Sequence, residues 1–257
     1  MKGFRRYGVA AASAATVLAS LAAGCGGSSG GDQTQAAGQS GTSTFPQSSE
    51  PANLTPADFT TQIDNPYLPM RPGSRWVVRV TNDQGEVQSD VITVSDQTKR
   101  MADGVRARVV HDVVSEHGNP AEVTDDYYAQ DSDGNVWYFG ENTAEFHNGR
   151  KDTSGSFEAG VNGADAGIAM LAHPEVGQTY REEYYAGQAE DRSKVLSLDE
   201  QAQVPFGHFT NALLTKDYSP LEPNVLEYKL YAQGVGQVLA VTVSGGSERE
   251  ELVSYTH

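Results

Sequence analysis

From Ser74 the hydrophobic positions recur every second residue: Trp76, Val78 and Val80 alternate with Val77 and Arg79. A period of two marks a half-buried strand. Asn82-Asp83-Gln84-Gly85 reads as a turn leading into a second run over 86–95. A third run spans 105–116, with Val105, Ala107, Val109 and Val113 on one parity and Arg106, Arg108, Asp112 and Glu116 on the other. The first set is the expected core face. His117-Gly118-Asn119-Pro120 and Asp131-Ser132-Asp133-Gly134 then turn the chain into runs at 121–130 and 135–140. Further strands are predicted at 178–186, 190–199, 207–218, 224–232, 235–244 and 247–255. Short strands every ~8–12 residues predict a mainly β domain, a single antiparallel curved sheet, barrel or sandwich. No helical pattern alternates with them, which argues against a parallel α/β fold.

Two stretches break the alternation. Thr55-Pro56-Ala57-Asp58 predicts a short N-terminal helix, with Thr55 as cap, Pro56 at the first helical position and Asp58 at the positive end. Phe59 and Ile63 lie one turn apart, and the helix must stop by Asn65 because Pro66 follows. Residues 149–175 are punctuated by Gly149, Gly155, Gly160, Gly163 and Gly167 and read as a long loop with a brief apolar stretch at 168–172.

Ahead of the domain the chain reads as a leader. Lys2, Arg5 and Arg6 are cationic, residues 8–20 are weakly apolar, and Leu21-Ala22-Ala23-Gly24 places small residues before Cys25. This is the pattern of a signal peptide over 1–24. The last five residues also resemble the bacterial lipobox, with Leu21 one place earlier than the usual pattern. The resemblance implies that the Cys25 thiol is acylated and becomes the mature N-terminus. The apolar run is too short to span a ~30 Å hydrocarbon core. Residues 25–53 are then the lipidated cysteine and a Gly/Ser/Gln-rich flexible tether with an end-to-end distance of ~30 Å, and 54–257 form one domain.

Composition narrows the function. Cys25 is the only cysteine, so the domain has no disulfide, thiol nucleophile or thiolate ligand. Three of the 18 basic residues lie in the leader, which leaves 15 against 34 acidic residues, a mature charge of −19. Nucleic acid is excluded as a partner on charge, and an anionic membrane would repel the domain itself. The lipid would therefore be the hold on the membrane, on its extracytoplasmic side.

No nucleophile elbow, nucleotide loop or zinc-binding H-E-x-x-H occurs, so no cofactor and no metal site is expected. Asp131–Asn135 has oxygen ligands at alternate positions, but Val136 stands where a calcium loop needs glycine, so a hairpin turn is the reading. His111, on the apolar parity, reads as a hydrogen-bonded histidine in or near the core. The acidic pairs Asp125-Asp126, Glu182-Glu183 and Glu190-Asp191 can each send only one carboxylate inward from a regular strand. Aromatic residues concentrate in the strands. Tyr128, Trp137, Phe139 and Tyr185 are the candidates to line a cavity if a curved sheet encloses one.

Residues 64–76 (DNPYLPMRPGSRW), 135–141 (NVWYFGE), 205–218 (PFGHFTNALLTKDY) and 231–238 (YAQGVGQV) resemble motifs of an uncharacterised family of exported bacterial β-rich lipoproteins. The resemblance implies export and a β-rich domain, and no reaction. The expectation is a lipid-anchored envelope protein, non-enzymatic, binding an apolar or amphipathic small molecule. The alternatives are an envelope hydrolase using paired carboxylates and an interaction module without ligand.

Overall fold

The computed structural model describes residues 45–147 and 149–257. Cys25 and the stretch read as a leader lie outside them. The strands are β1 (Phe59–Thr60), β2 (Arg75–Thr81), β3 (Val87–Arg100), β4 (Arg106–Glu116), β5 (Asn119–Asp131) and β6 (Val136–His147). The short pieces β7 (Arg150–Asp152), β8 (Phe157–Glu158), β9 (Asp165–Met170), β10 (Thr179–Arg181) and β11 (Glu183–Tyr184) follow. The chain ends with β12 (Arg192–Val204), β13 (Gly207–Tyr218), β14 (Leu226–Ala232), β15 (Gly236–Ser244) and β16 (Arg249–Thr256).

The sheet runs β10-β12-β13-β14-β15-β16-β2-β3-β4-β5-β6-β9-β11, and neighbouring strands are antiparallel. Its two ends are one stretch of chain, because only Glu182 separates β10 from β11. Tyr180 pairs with Ser193 of β12, and Glu183 pairs with Ala166 of β9. The segment 179–184 thus nearly closes the sheet into a barrel, and closure removes the exposed edges an open sheet would carry.

The seam is tightly specified. Arg181 is 1% exposed and donates from Nε and Nη2 to the Ala166 carbonyl at 3.2 and 2.9 Å. Its Nη2 also pairs with Asp165 at 2.8 Å. A Cβ on Gly167 would fall 2.2 Å from the Glu182 carbonyl carbon, so only glycine lets β9 approach the closing segment.

Several elements differ from the sequence reading. The N-terminal helix is a single 3-10 turn over Pro56–Asp58, and Thr55 makes no side-chain cap. The next residues are drawn into the sheet instead, with Phe59 opposite Asp131. The stretch read as a loop over 149–175 contributes three strands, and Ile168 in β9 is fully buried. Glycine density hid them, because Gly167 sits inside a strand at a close approach. Residues 45–52, part of the stretch read as tether, lie against the seam. Pro46 O accepts from Arg181 N at 2.8 Å, Glu50 O accepts from its guanidinium at 2.6 Å, and Ala52 N donates to Asp165 at 3.0 Å.

Ala107 is buried in β4 as expected, but over 110–114 the inner face is the reverse of the one expected. Val110, Asp112 and Val114 turn inward, while His111 points out, its side chain 47% exposed, and pairs with Asp125 at 2.9 Å. The parity rule assumes an apolar interior. Here the interior is strongly polar, with Asp90, Asp126, Glu141, Glu182, Glu183, Asp217, Glu227 and Glu250 all buried.

Candidate functional site

A cavity of about 110 Å³ lies inside the barrel. β2, β3 and β4 line it with Trp76, Val78, Ile92 and Val110, and Leu68 and Met70 border it from the loop at 65–73, which holds three prolines. Asp90, Asp112, Asp126 and Glu250 reach it from β3, β4, β5 and β16. Tyr128 and Tyr231 complete the lining, 5% and 2% exposed.

The loop that carries Leu68 and Met70 is pinned by one side chain. Asn65 donates from Nδ2 to the carbonyls of Gly134 and Leu171, both at 3.0 Å, and its Oδ1 accepts from the Tyr67 N–H at 2.9 Å. Gln130 Oε1 receives the Asn65 N–H at 2.9 Å. The β14–β15 turn docks on the same loop. Gly234 N donates to Pro66 O at 2.7 Å, Gln233 Nε2 donates to the Tyr67 hydroxyl at 3.0 Å, and Trp76 Nε1 donates to Val235 O at 2.7 Å. The motifs around Asn65, Asn135 and Gly234, far apart in sequence, therefore meet at this end of the barrel. The turn at 131–135 is a hairpin, as read. Asp131 accepts from the Asp133 and Asn135 N–H groups at 3.0 and 2.8 Å and from Trp137 Nε1 at 2.7 Å.

Of the four aromatic candidates, Tyr128 lies in the cavity wall. Trp137 and Phe139 are buried elsewhere, each edge-on to Phe59, with ring centroids 6.2 and 5.6 Å apart. Tyr185 stacks on Phe157 and borders a second hollow of about 360 Å³. In that hollow the Lys99 ammonium is already engaged, 2.7 Å from Glu158 and 4.0 Å above the Tyr127 ring.

The sequence reading missed the inner carboxylates. Asp126 pairs with Glu141 and Tyr128 with Tyr138, so β6 spends one extra residue over this interval. Gly140 sits there at φ +107, and a Cβ on it would lie 2.3 Å from Phe157 O. The bulge puts Tyr138 and Glu141 on one face, which residues three apart on a regular strand do not share. The Tyr138 hydroxyl donates to Asp126 at 2.9 Å, with Glu141 Oε2 3.4 Å away. Burial, reinforced by Asp126 and Glu183, pushes the Glu141 carboxyl well above the usual range. Both members of Glu182-Glu183 are buried because Glu182 occupies the step between β10 and β11, where alternation lapses.

Beyond the cavity lies an ionic cluster around Lys229. Its Nζ is 2.7 Å from Asp217 and 3.5 Å from Glu227, and all three side chains are almost fully buried. Burial alone would lower the ammonium pKa, but Asp217, Glu182 and Glu227 raise it well above its ordinary value. Burial pushes Glu182 and Glu227 up despite Lys229, and Asp191 up to about 6. Lys229 is thus a held charge beside Asp217, with Glu182 and Glu227 shifted toward their protonated forms. A nucleophilic or general-base lysine would need a depressed pKa. Among the described residues no group of three or more His, Asp or Glu side chains is arranged to hold a metal ion.

No protein-family model matches the chain. No curated protein matches its sequence. Among solved structures, "a putative lipoprotein from Parabacteroides distasonis ATCC 8503" is similar over 75% of this chain and 99% of its own, at 12% identity and a TM-score of 0.42. A likeness so distant carries no information about activity.

Proposed function

We propose that this chain is a lipid-anchored protein of the cell envelope whose barrel binds a small amphipathic molecule without transforming it. The observation behind the reading is the interior cavity, lined by apolar and acidic side chains together and bordered by a pinned loop. Mixed lining of this kind orients a ligand that has one apolar and one polar end. The volume limits the ligand. Drug-sized ligands fill roughly 300–1,000 Å³, and a dry cavity of ~150 Å³ takes benzene. At about 110 Å³ the space suits a molecule of that order and not a whole acyl chain.

The paired carboxylates favour binding over hydrolysis. Asp126 and Glu141 do meet, but the Tyr138 hydroxyl already lies between them and Glu141 is 2% exposed. A general acid must reach the atom it protonates.

Native mass spectrometry of the full-length chain purified from its envelope is expected to show a small retained molecule. Val78→Phe, which fills the cavity, is expected to lose it while the circular dichroism spectrum stays that of a β protein. Retention undiminished by Val78→Phe would rule out this cavity as the site. Anchoring has its own check. Cys25→Ser is expected to move the protein from the membrane to the soluble fraction, and an unchanged distribution would refute the lipid anchor.

A further inference from the structure

We propose that the outer face of β12–β16 docks on an anionic phospholipid surface and so sets how the barrel lies on the membrane; the proposal rests on the reading of the chain as lipid-anchored. One cross-strand row carries it. Lys194 of β12 pairs with Lys216 of β13, Lys216 with Tyr228 of β14, Tyr228 with Val241 of β15, and Val241 with Arg249 of β16. The residues that alternate with them, among them Ser193, Thr215, Asp217, Lys229, Ala240 and Glu250, are buried, so the row faces outward. It holds three cations and no acid, in a chain with 18 basic and 34 acidic residues. Arg192, two residues before Lys194 and opposite Tyr218, adds a further cation to the same face.

Like charges on facing positions of a sheet repel, so Lys194 opposite Lys216 is unfavourable by itself. Among the described residues neither lysine is in an ion pair, and the Lys216 ammonium lies 5.3 Å from the centroid of the Tyr218 ring. A layer of phosphate groups supplies the missing counter-charge. Arg249 differs, because Glu251 already holds it together with Arg79, so the free charge lies at the β12–β13 end. Tyr228 and Val241 fill the middle of the row, and Val243, two residues further along β15, is 47% exposed. Tyrosine, with an apolar body and a polar tip, suits the boundary between headgroups and acyl chains.

The second observation is where the described chain ends. Thr179, the partner of Lys194 on β10, donates from Oγ1 to Gln47 Oε1 at 2.6 Å, and Arg192 donates from Nη2 to Ser48 Oγ at 3.3 Å. Residues 47 and 48 thus lie at the margin of this face beside Lys194, and the chain leads from there toward Cys25. A lipid on Cys25 would bring this margin to the membrane. The net charge of the domain is repelled by anionic lipid, but that repulsion is screened over about 8–10 Å, so the face nearest the headgroups decides.

The test reconstitutes the full-length chain, extracted from its envelope, into vesicles of phosphatidylcholine alone and of an equimolar mixture with phosphatidylglycerol. Lysines are labelled with a membrane-impermeant amine reagent and read by mass spectrometry. Lys194 and Lys216 are expected to react about five-fold more slowly in the mixed vesicles than in the neutral ones, and raised salt is expected to abolish the difference. Lys151, exposed on β7, is expected to react equally in both. Lys216→Glu is expected to return Lys194 to the rate seen in neutral vesicles. Equal rates at Lys194 in the two vesicles, or slowing of Lys151 to the same degree, would overturn the docking face. Slow labelling of Lys194 already in detergent, without vesicles, would place a second copy or another protein over the face and overturn the lipid assignment. A chain that fails to float with neutral vesicles would refute the anchor, and this orientation with it; a chain that floats but labels equally refutes the face alone.

Discussion

Lowering the pH from about 8 to 5 is expected to stabilise this protein. Asp191 titrates near 6 in the folded barrel, raised by burial against the opposing influence of Ser219 and Lys229. Glu141, Glu182, Glu183 and Glu227 are raised well above the usual carboxyl range, with burial the largest cause in each. An unfolded chain ionises these groups near pH 4. Between that pH and the folded values the native state binds more protons than the unfolded state, so stability falls as pH rises. For Asp191 the loss runs from about pH 4 to 6 and amounts to ~3 kcal/mol. The glutamates extend it to higher pH. In a domain of this size ~3 kcal/mol corresponds to a melting-temperature change of roughly 6–12 °C. Thermal melts from pH 4 to 8 read the slope, and Asp191→Asn is expected to flatten the segment between 4 and 6. A protein that becomes steadily more stable from pH 5 to 8 would contradict the protonated interior described above. The carboxyls that shift downward, Glu50, Asp152 and Glu251, are at the surface and oppose this trend weakly.

Removing the single ammonium in the acidic cluster is expected to cost more than any surface change. Lys229 is 3% exposed, and its Nζ lies 2.7 Å from Asp217. Lys229→Met keeps the length of the side chain and deletes the charge, leaving Asp217 buried without its counter-ion. Breaking a buried pair from one side typically costs ~3–5 kcal/mol. The Lys229→Met, Asp217→Asn double variant removes both charges and is expected to recover most of that loss. Urea denaturation of the wild type, both single variants and the double gives the coupling directly. A Lys229→Met protein as stable as the wild type would show that the ion pair does not hold this part of the barrel together.

Much of the architecture was legible because strands of 7 to 14 residues separated by Gly, Asn, Asp and Pro leave a strong local signal. β2, β13, β14 and β15 fall where the alternation placed them. Of the cavity lining, the sequence pointed only to Tyr128. Glu141, Glu182 and Glu183 were hidden because a bulge at Gly140 and a strand change at Glu182 each break the two-residue period. His111 and Asp112 were assigned to opposite faces from those they occupy, because an apolar residue was assumed to mark the inside.

The sequence by itself determined that the chain is a β protein, that its acidic residues outnumber its basic ones, and that its one thiol is Cys25. These follow from composition and from neighbours along the chain. Only the tertiary structure decided that the sheet closes through residues 179–184, that the acidic side chains face inward, and which aromatic residues border a cavity. The physical reason is that closure sets which face of every strand is interior. It depends on pairings between residues as distant as Thr81 and Arg249, which no local pattern encodes.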